Sequence, residues 1–539
     1  MSRHRVLPVL TQGGMALPTH AHALSRTERF ITLSGVLLGL LLAALDQTIV
    51  ATAGPAMQAD LHIAPADYPW LTTAYLVAST VMLPIYGKLS DLFGRKPILV
   101  AGILLFLLGS VLCGLSRSTF HVILARVVQG LGSASLFTSA FTVVADLFPP
   151  SVRGKYQGLV GAVFALSSVV GPLLGGFLTD HFSWHWVFFI NLPVGLMALG
   201  FILLRMPPLH PRAGEKRPRL DLAGALALVL AVVPLLLALS LGHERYAWGS
   251  APILGLFALS AVGLVLFVLA ERRAHEPLLD LGLFRNRVFG LGNLTVCILG
   301  AGFLSAVVFL PLFMVNVVGL SATRSGLTLT PLTLGVVAGN VLAGQLVSRL
   351  GHYRLLMLGS LVVLTAGYAL MGYTLSSDST QAEVTVKMVL VGVGLGPSLP
   401  LYTLAIQNAV PPAQVGVATA SVTFFRQMGS TIGVALLGTV FASTLATTLA
   451  TRTTEATAGL PPEVSERLQL SGTGGGGGEP LSEEPPAVGQ VEQVRKEGFT
   501  RAISAIYRIA ILISVVGFLL TLFLPELPLR RSNAPLPPE

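Results

Sequence analysis

Charge is what this sequence is short of. Lysine, arginine, aspartate and glutamate make up 11% of its 539 residues, against 53% hydrophobic, and so little polar surface cannot coat a soluble globule of that length. Cysteine is scarce as well: Cys113 and Cys297 both fall inside apolar runs and read as small buried hydrophobes, so no disulfide framework is expected. The chain has no Walker loop, hence no sign of ATP-driven pumping. It has no nucleophile elbow and no His/Cys cluster with metal spacing, which argues against an enzyme, a metal or any other bound cofactor. The residues before Arg26 lack an apolar core long enough for a cleaved signal peptide and read as a tail. Alternation at period two, the mark of a membrane barrel, is missing too.

What the chain does have is long apolar runs. About fourteen are long enough to cross roughly 30 Å of hydrocarbon as helices, from Phe30–Thr52 to Ala502–Phe523 and including Trp186–Leu204, Glu383–Val410 and Val415–Leu445. The expected fold is therefore an all-α membrane protein with membrane lipid as its solvent. The net charge of +9 does not point to nucleic acid, because the basic residues collect in alternate loops: Arg26 and Arg29, Lys88 with Arg95 and Lys96, Arg153 with Lys155, 212–219, 272–287, Arg349 with Arg354, and Arg530 with Arg531. The positive-inside rule makes that side cytoplasmic, places both termini there, and suits a multi-pass protein of the cell membrane.

The second half of the chain repeats the first. Gly87 to Gly94 matches Gly344 to Gly351 in spacing. Gly130, Gly132, Pro149, Pro150, Gly154, Gly171 and Gly176 match Gly392, Gly394, Pro411, Pro412, Gly416, Gly433 and Gly438 at one constant offset. A duplicated six-helix unit facing itself across a midplane cavity is how alternating-access carriers are built. The organisation expected is a cytoplasmic tail over 1–29, a first six-helix lobe over 30–206, two inserted helices with charged flanks over 207–286, a second lobe over 287–525 with an external loop at 446–501, and a cytoplasmic tail over 526–539.

Particular residues then carry chemistry. In the run Gly87-Lys88-Leu89-Ser90-Asp91-Leu92-Phe93-Gly94-Arg95-Lys96, glycines allow helix ends to approach closely, and Asp91 can interact with a facing helix N-terminus and with Arg95. Ser348 and His352 stand at the matching places of the second copy, so this charge latch belongs to one lobe. Asp46 lies deep in its span, where an ionised carboxylate is costly, which makes it a candidate proton carrier. Arg126 falls at a comparable depth and is the natural partner to oppose or release that cost. Asp146, at the cytoplasmic end of its helix near Arg95 and Arg153, reads as a latch. Gln47, Thr48, Tyr75, Asn340 and Arg426 are polar, aromatic or charged residues inside spans and are candidate substrate contacts.

The Gly87–Lys96 run resembles the loop signature of the major facilitator superfamily, and Leu124, Arg126, Gln129, Gly130 and Gly132 resemble that superfamily's fourth-helix motif. Gly171-Pro172-Leu173-Leu174-Gly175-Gly176 resembles the motif associated with antiporters; Pro172 removes a backbone donor and the glycines present a smooth helix face. Leu45 to Val50 with Pro55, Trp70 with Tyr75, the run Trp184-His185-Trp186 to Asn191-Leu192-Pro193, and Phe425 to Gly429 resemble the fourteen-helix drug:proton antiporters. The pattern departs at Ala51, where the family has asparagine, and at His185, where it has arginine. The resemblance implies the major facilitator fold and a monomeric, proton-driven exporter of lipophilic, cationic or amphiphilic compounds. Proton-symport uptake, or export of a lipid or glycolipid to the envelope, are the alternatives.

Overall fold

A computed structural model of the chain describes residues 25–64, 67–209, 220–244, 246–320, 329–457 and 486–530. The far ends of both tails, most of the stretch before Leu220 and the centre of the loop at 446–501 lie outside the described residues. Those residues contain fourteen helices long and apolar enough to cross a membrane and no strand.

The first lobe comprises α1 (Arg26–Asp60), α2 (Trp70–Phe93), α3 (Arg95–Gly114), α4 (Thr119–Leu147), α5 (Pro150–His181), and a broken sixth span of α6 (Trp186–Phe189) and α7 (Asn191–Arg205). A capping box opens α1: the Glu28 N–H donates to the Ser25 hydroxyl and the Ser25 N–H to the Glu28 carboxylate. The inserted pair is α8 (Leu222–Glu244) and α9 (Ala251–Arg273). The second lobe holds α10 (Arg287–Asn316), α11 (Leu329–Leu350), α12 (Arg354–Thr374), a span divided before Pro397 into α13 (Gln381–Leu395) and α14 (Ser398–Asn408), then α15 (Val415–Thr457) and α16 (Pro486–Leu522).

The glycines of the repeat do the same work in both lobes. A Cβ on Gly130 would strike the Tyr75 carbonyl of α2, and one on Gly392 the Leu332 carbonyl of α11. Gly132 likewise abuts the backbone of Phe106 on α3, as Gly394 abuts that of Leu364 on α12. Small residues thus let the fourth helix of each copy wedge between its second and third, the packing that replaces a hydrophobic drive between helices in lipid. Gly94 and Gly351 also share a positive φ, of 92° and 75°, which other residues adopt only with strain.

One expected boundary differs. Helix α15 continues to Thr457 and α16 begins at Pro486, so much of the segment expected to be an external loop is helix. The polar run after Thr444 carries no hydropathy signal, yet it continues a helix already nucleated in the membrane.

The inserted pair packs against α2 and α15, along one seam between the lobes. Lys88 meets Glu276 at 3.4 Å at the end of the pair rich in basic residues, and the Trp248 indole donates to the Thr439 hydroxyl toward the other end, at 3.3 Å. The Glu271 carboxylate accepts from the Leu278 and Leu279 N–H groups and so fixes the return of the chain from α9.

Candidate functional site

Asp46 and Arg126 are 0% and 1% exposed and form an ion pair at 2.6 Å between α1 and α4. Desolvating both charges is tolerable only if their remaining hydrogen-bonding capacity is met, and most of it is. Gln129 donates to the other Asp46 oxygen at 2.8 Å and Asn191 to the same atom at 3.2 Å. Arg126 also donates to the Gln129 side-chain oxygen and the Leu71 carbonyl, at 2.7 and 2.9 Å. Its guanidinium carbon lies 4.3 Å from the centre of the Tyr75 ring. Ser110 accepts from Asn191 and donates to the Phe188 carbonyl, at 2.9 and 2.8 Å. Three spans of the first lobe therefore meet at the carboxylate itself, and α2 and α3 join them through Arg126 and Asn191. The carboxylate is sequestered inside that lobe rather than turned toward the second.

Gln129 and Asn191 lie in motifs that the sequence makes visible, but it gives neither a role at Asp46. Their signal is an amide inside an apolar span, which has to find a buried partner.

The second cluster joins the lobes at their basic ends. Asp91 accepts from the Gly416 and Val417 N–H groups, at 3.0 and 2.9 Å, so its carboxylate sits at the positive N-terminal end of α15. Arg95 bonds Asp91 at 2.5 Å and Asp146 at 2.7 Å. On the other seam Arg153 and Gln157 of α5 both donate to the Gln407 side-chain oxygen of α14, at 3.3 and 3.0 Å. Gly87 abuts Ala420 and Gly416, and Gly154 abuts Gly344 and Val347. The lobes are thus closed at the basic end, with contact running up to Gly161 against Asn340. Lys96 stands aside from this contact and donates to the Leu203 and Met206 carbonyls at the end of α7.

In the second copy Ser348 turns back to the Gly344 carbonyl of its own helix. The chain after α16 supplies charges there instead. Glu526 lies 3.5 Å from His352, Asn408 donates to the Pro528 carbonyl, and Arg530 donates to the Asn408 and Val410 carbonyls, at 2.6 and 3.0 Å. The Leu527 N–H donates to the Tyr353 hydroxyl, whose pKa burial pushes up. The segment then crosses to the first lobe, where the Ser151 N–H donates to the Arg530 carbonyl at 3.1 Å.

The remaining predicted residues divide. Thr48 donates to the Ser167 carbonyl of α5 at 2.9 Å, and Tyr75 is wholly buried against Arg126, so both build the first lobe. Gly171 and Gly175 face Thr48 and Thr52 of α1, whereas Gly176 faces open space; Pro172 sits within α5. Gln47 is half-buried. Asn340 is buried at the α5–α11 contact with an unpaired side-chain oxygen. Arg426 is half-buried on α15.

Comparison with known proteins agrees with this fold. Residues 36–434 match the family model described as Major Facilitator Superfamily. The chain is 36% identical to the multidrug transporter protein MdtP of Bacillus subtilis, over 94% of this chain and 95% of that one. It is 40% identical to multidrug resistance protein 3 of the same organism, over 77% and 80%. It is also 34% identical to the tetracenomycin C resistance and export protein of Streptomyces glaucescens, over 76% of each. Among solved structures, the human organic anion transporter MFSD10 shares the fold, with a TM-score of 0.57 at 13% identity over 90% of this chain and 99% of that one.

Proposed function

This chain belongs to the Major Facilitator Superfamily, and we propose that it is a proton-coupled exporter of lipophilic compounds that works by alternating access in the cell membrane. Its relatives named for multidrug transport and export support the efflux reading. The basic loops support placing both termini in the cytoplasm. Each chain carries both lobes, so a monomer suffices. The partners are protons, a small lipophilic molecule and the surrounding lipid.

The observation that carries the coupling is the sequestered pair of Asp46 and Arg126. A proton arriving at Asp46 cancels its charge and frees Arg126 and Gln129 to rearrange, and the change spreads from the three spans that meet there to α2 and α3 through Arg126 and Asn191. The altered lobe then releases its grip on α15 through Asp91 and on α14 through Arg153, and the basic end opens. One proton moving inward through 100 mV supplies about 2.3 kcal/mol before any pH gradient. A lipophilic cation, the substrate that the deep carboxylate suggests at first, reaches Asp46 only by displacing Arg126.

The test is efflux from inverted vesicles with Asp46→Asn. Wild type should accumulate a lipophilic dye in the vesicles when a proton gradient is applied and stop when it is collapsed. The folded variant should lose this response. Unaltered gradient-driven accumulation by the variant would sink the mechanism.

A further inference from the structure

We propose that Arg426 takes the acidic group of the exported compound, so that this carrier selects lipophiles bearing a carboxylate or a similar anion. The proposal rests on the export reading and names the substrate class of that same central site.

Arg426 lies about 17 Å along α15 from its basic end, close to the middle of the bilayer. Its Nε is shut off from solvent and has no hydrogen-bond partner, and among the described residues the side chain forms no ion pair. Elsewhere in the spans charge is compensated. Asp46 and Arg126 cancel inside the first lobe, and Lys387 pairs with Glu383. Arg508, nearer the outer surface, donates to the Gly372 carbonyl and stacks on Tyr373. Among the described residues, the middle of the carrier is thus left with one uncompensated positive charge. A guanidinium so placed is costly until an anion joins it, and it does not give up its proton to escape that cost.

The surroundings fit a ligand rather than a missing protein partner. Gly300 of α10 packs on the Arg426 backbone carbonyl, and Cys297 and Ala301 on Gly429 and Gly433, with Ser430 donating to the Gly300 carbonyl at 3.0 Å, so α10 meets the backbone of α15 here. On the same face of α10, about two turns nearer the basic end, Asn293 is buried with its side-chain oxygen unpaired, its amide being bonded to Phe289 of its own helix. A donor and an acceptor therefore stand unsatisfied on facing helices. Arg426 lies deeper along α15 than Gly416 and Ala420, where that helix touches the first lobe, and its side chain keeps partial exposure there, with Asn293 buried behind it. The planar fork of a guanidinium matches a carboxylate, phosphate or sulfonate with two parallel hydrogen bonds. A protonated acid or a hydroxyl on the same molecule could donate to Asn293.

Two fluorescent probes of one shape and opposite charge test this: 1-pyrenebutyric acid and 1-pyrenebutylamine, with binding to the purified full chain followed by energy transfer from tryptophan. Wild type should bind the acid about tenfold or more tightly than the amine. Arg426→Gln should abolish the preference, and Arg426→Lys should keep the sign with a smaller ratio. Tighter binding of the amine, or an acid affinity unmoved by Arg426→Gln in a variant that unfolds at the wild-type temperature, would overturn the proposal. If Arg426→Gln does not fold, the wild-type ratio and the lysine variant still decide. Loss of gradient-driven export with the acid preference intact would instead remove the export reading and leave this site standing.

Discussion

Asp46 and Arg126 meet at 2.6 Å, and every hydrogen-bond partner of either lies in the first lobe. Proton binding is therefore a change in the packing of one lobe, not the breaking of a bridge between two. Removing one member should leave the other buried and unpaired, at a cost of about 3–5 kcal/mol. Thermal unfolding in detergent should show Arg126→Gln well below wild type, with the Asp46→Asn, Arg126→Gln double variant recovering part of the loss. A double variant less stable than Arg126→Gln would mean that the two charges are not compensating one another.

Gly154 and Gly344 press backbone to backbone at the basic end. Gly154→Val places two methyls into that contact, and the variant should remain open there. A cysteine at Gln157, buried in the closed form, should react with an impermeant thiol reagent from the basic side several-fold faster in Gly154→Val than in the glycine parent. Equal rates would show that this contact does not govern closure.

The segment after α16 bridges both lobes while the basic end is closed, because the Ser151–Arg530 hydrogen bond joins α5 to it. Truncation after Pro525 should shift the population toward the open form. Spin labels at Val152 and Leu350, both exposed, should report a larger fraction of long distances. An unchanged distribution would make the segment a passive passenger on the second lobe.

His185 stacks on Trp184, with ring centres 3.7 Å apart, and burial holds its pKa below the ordinary histidine range. The folded state thus binds this proton less well than the unfolded chain does. The stack should be intact above the ordinary histidine pKa and weaken as pH falls through the lowered value. Tryptophan fluorescence should fall with acid along that titration, and His185→Gln should remove the step. A step that persists in the variant belongs to another group.

Much of this was readable from the residues. Asp91 and Arg95 stand in a motif whose spacing implies a latch, and the glycine repeat announces two lobes because Gly130 and Gly132 have the same steric job as Gly392 and Gly394. The role of Asn191 at Asp46 was not readable, since the two are 145 positions apart and only the fold brings them together. The docking of Pro525 to Arg530 was hidden as well: a short irregular segment without periodicity looks like any tail until Tyr353, Asn408 and Ser151 are found beside it. The length of α15 escaped for a different reason, because hydropathy reports where the membrane ends and not where a helix does.

The glycine faces that close the basic end bear on the energy of the cycle. Where Gly87 meets Ala420 and Gly154 meets Gly344 there are no long side chains to freeze, whereas each long side chain ordered at such a contact costs up to about 2 kcal/mol of entropy. Arg153, Gln157 and Gln407 are the long side chains ordered across that closure, and the freedom of these three is what opening returns.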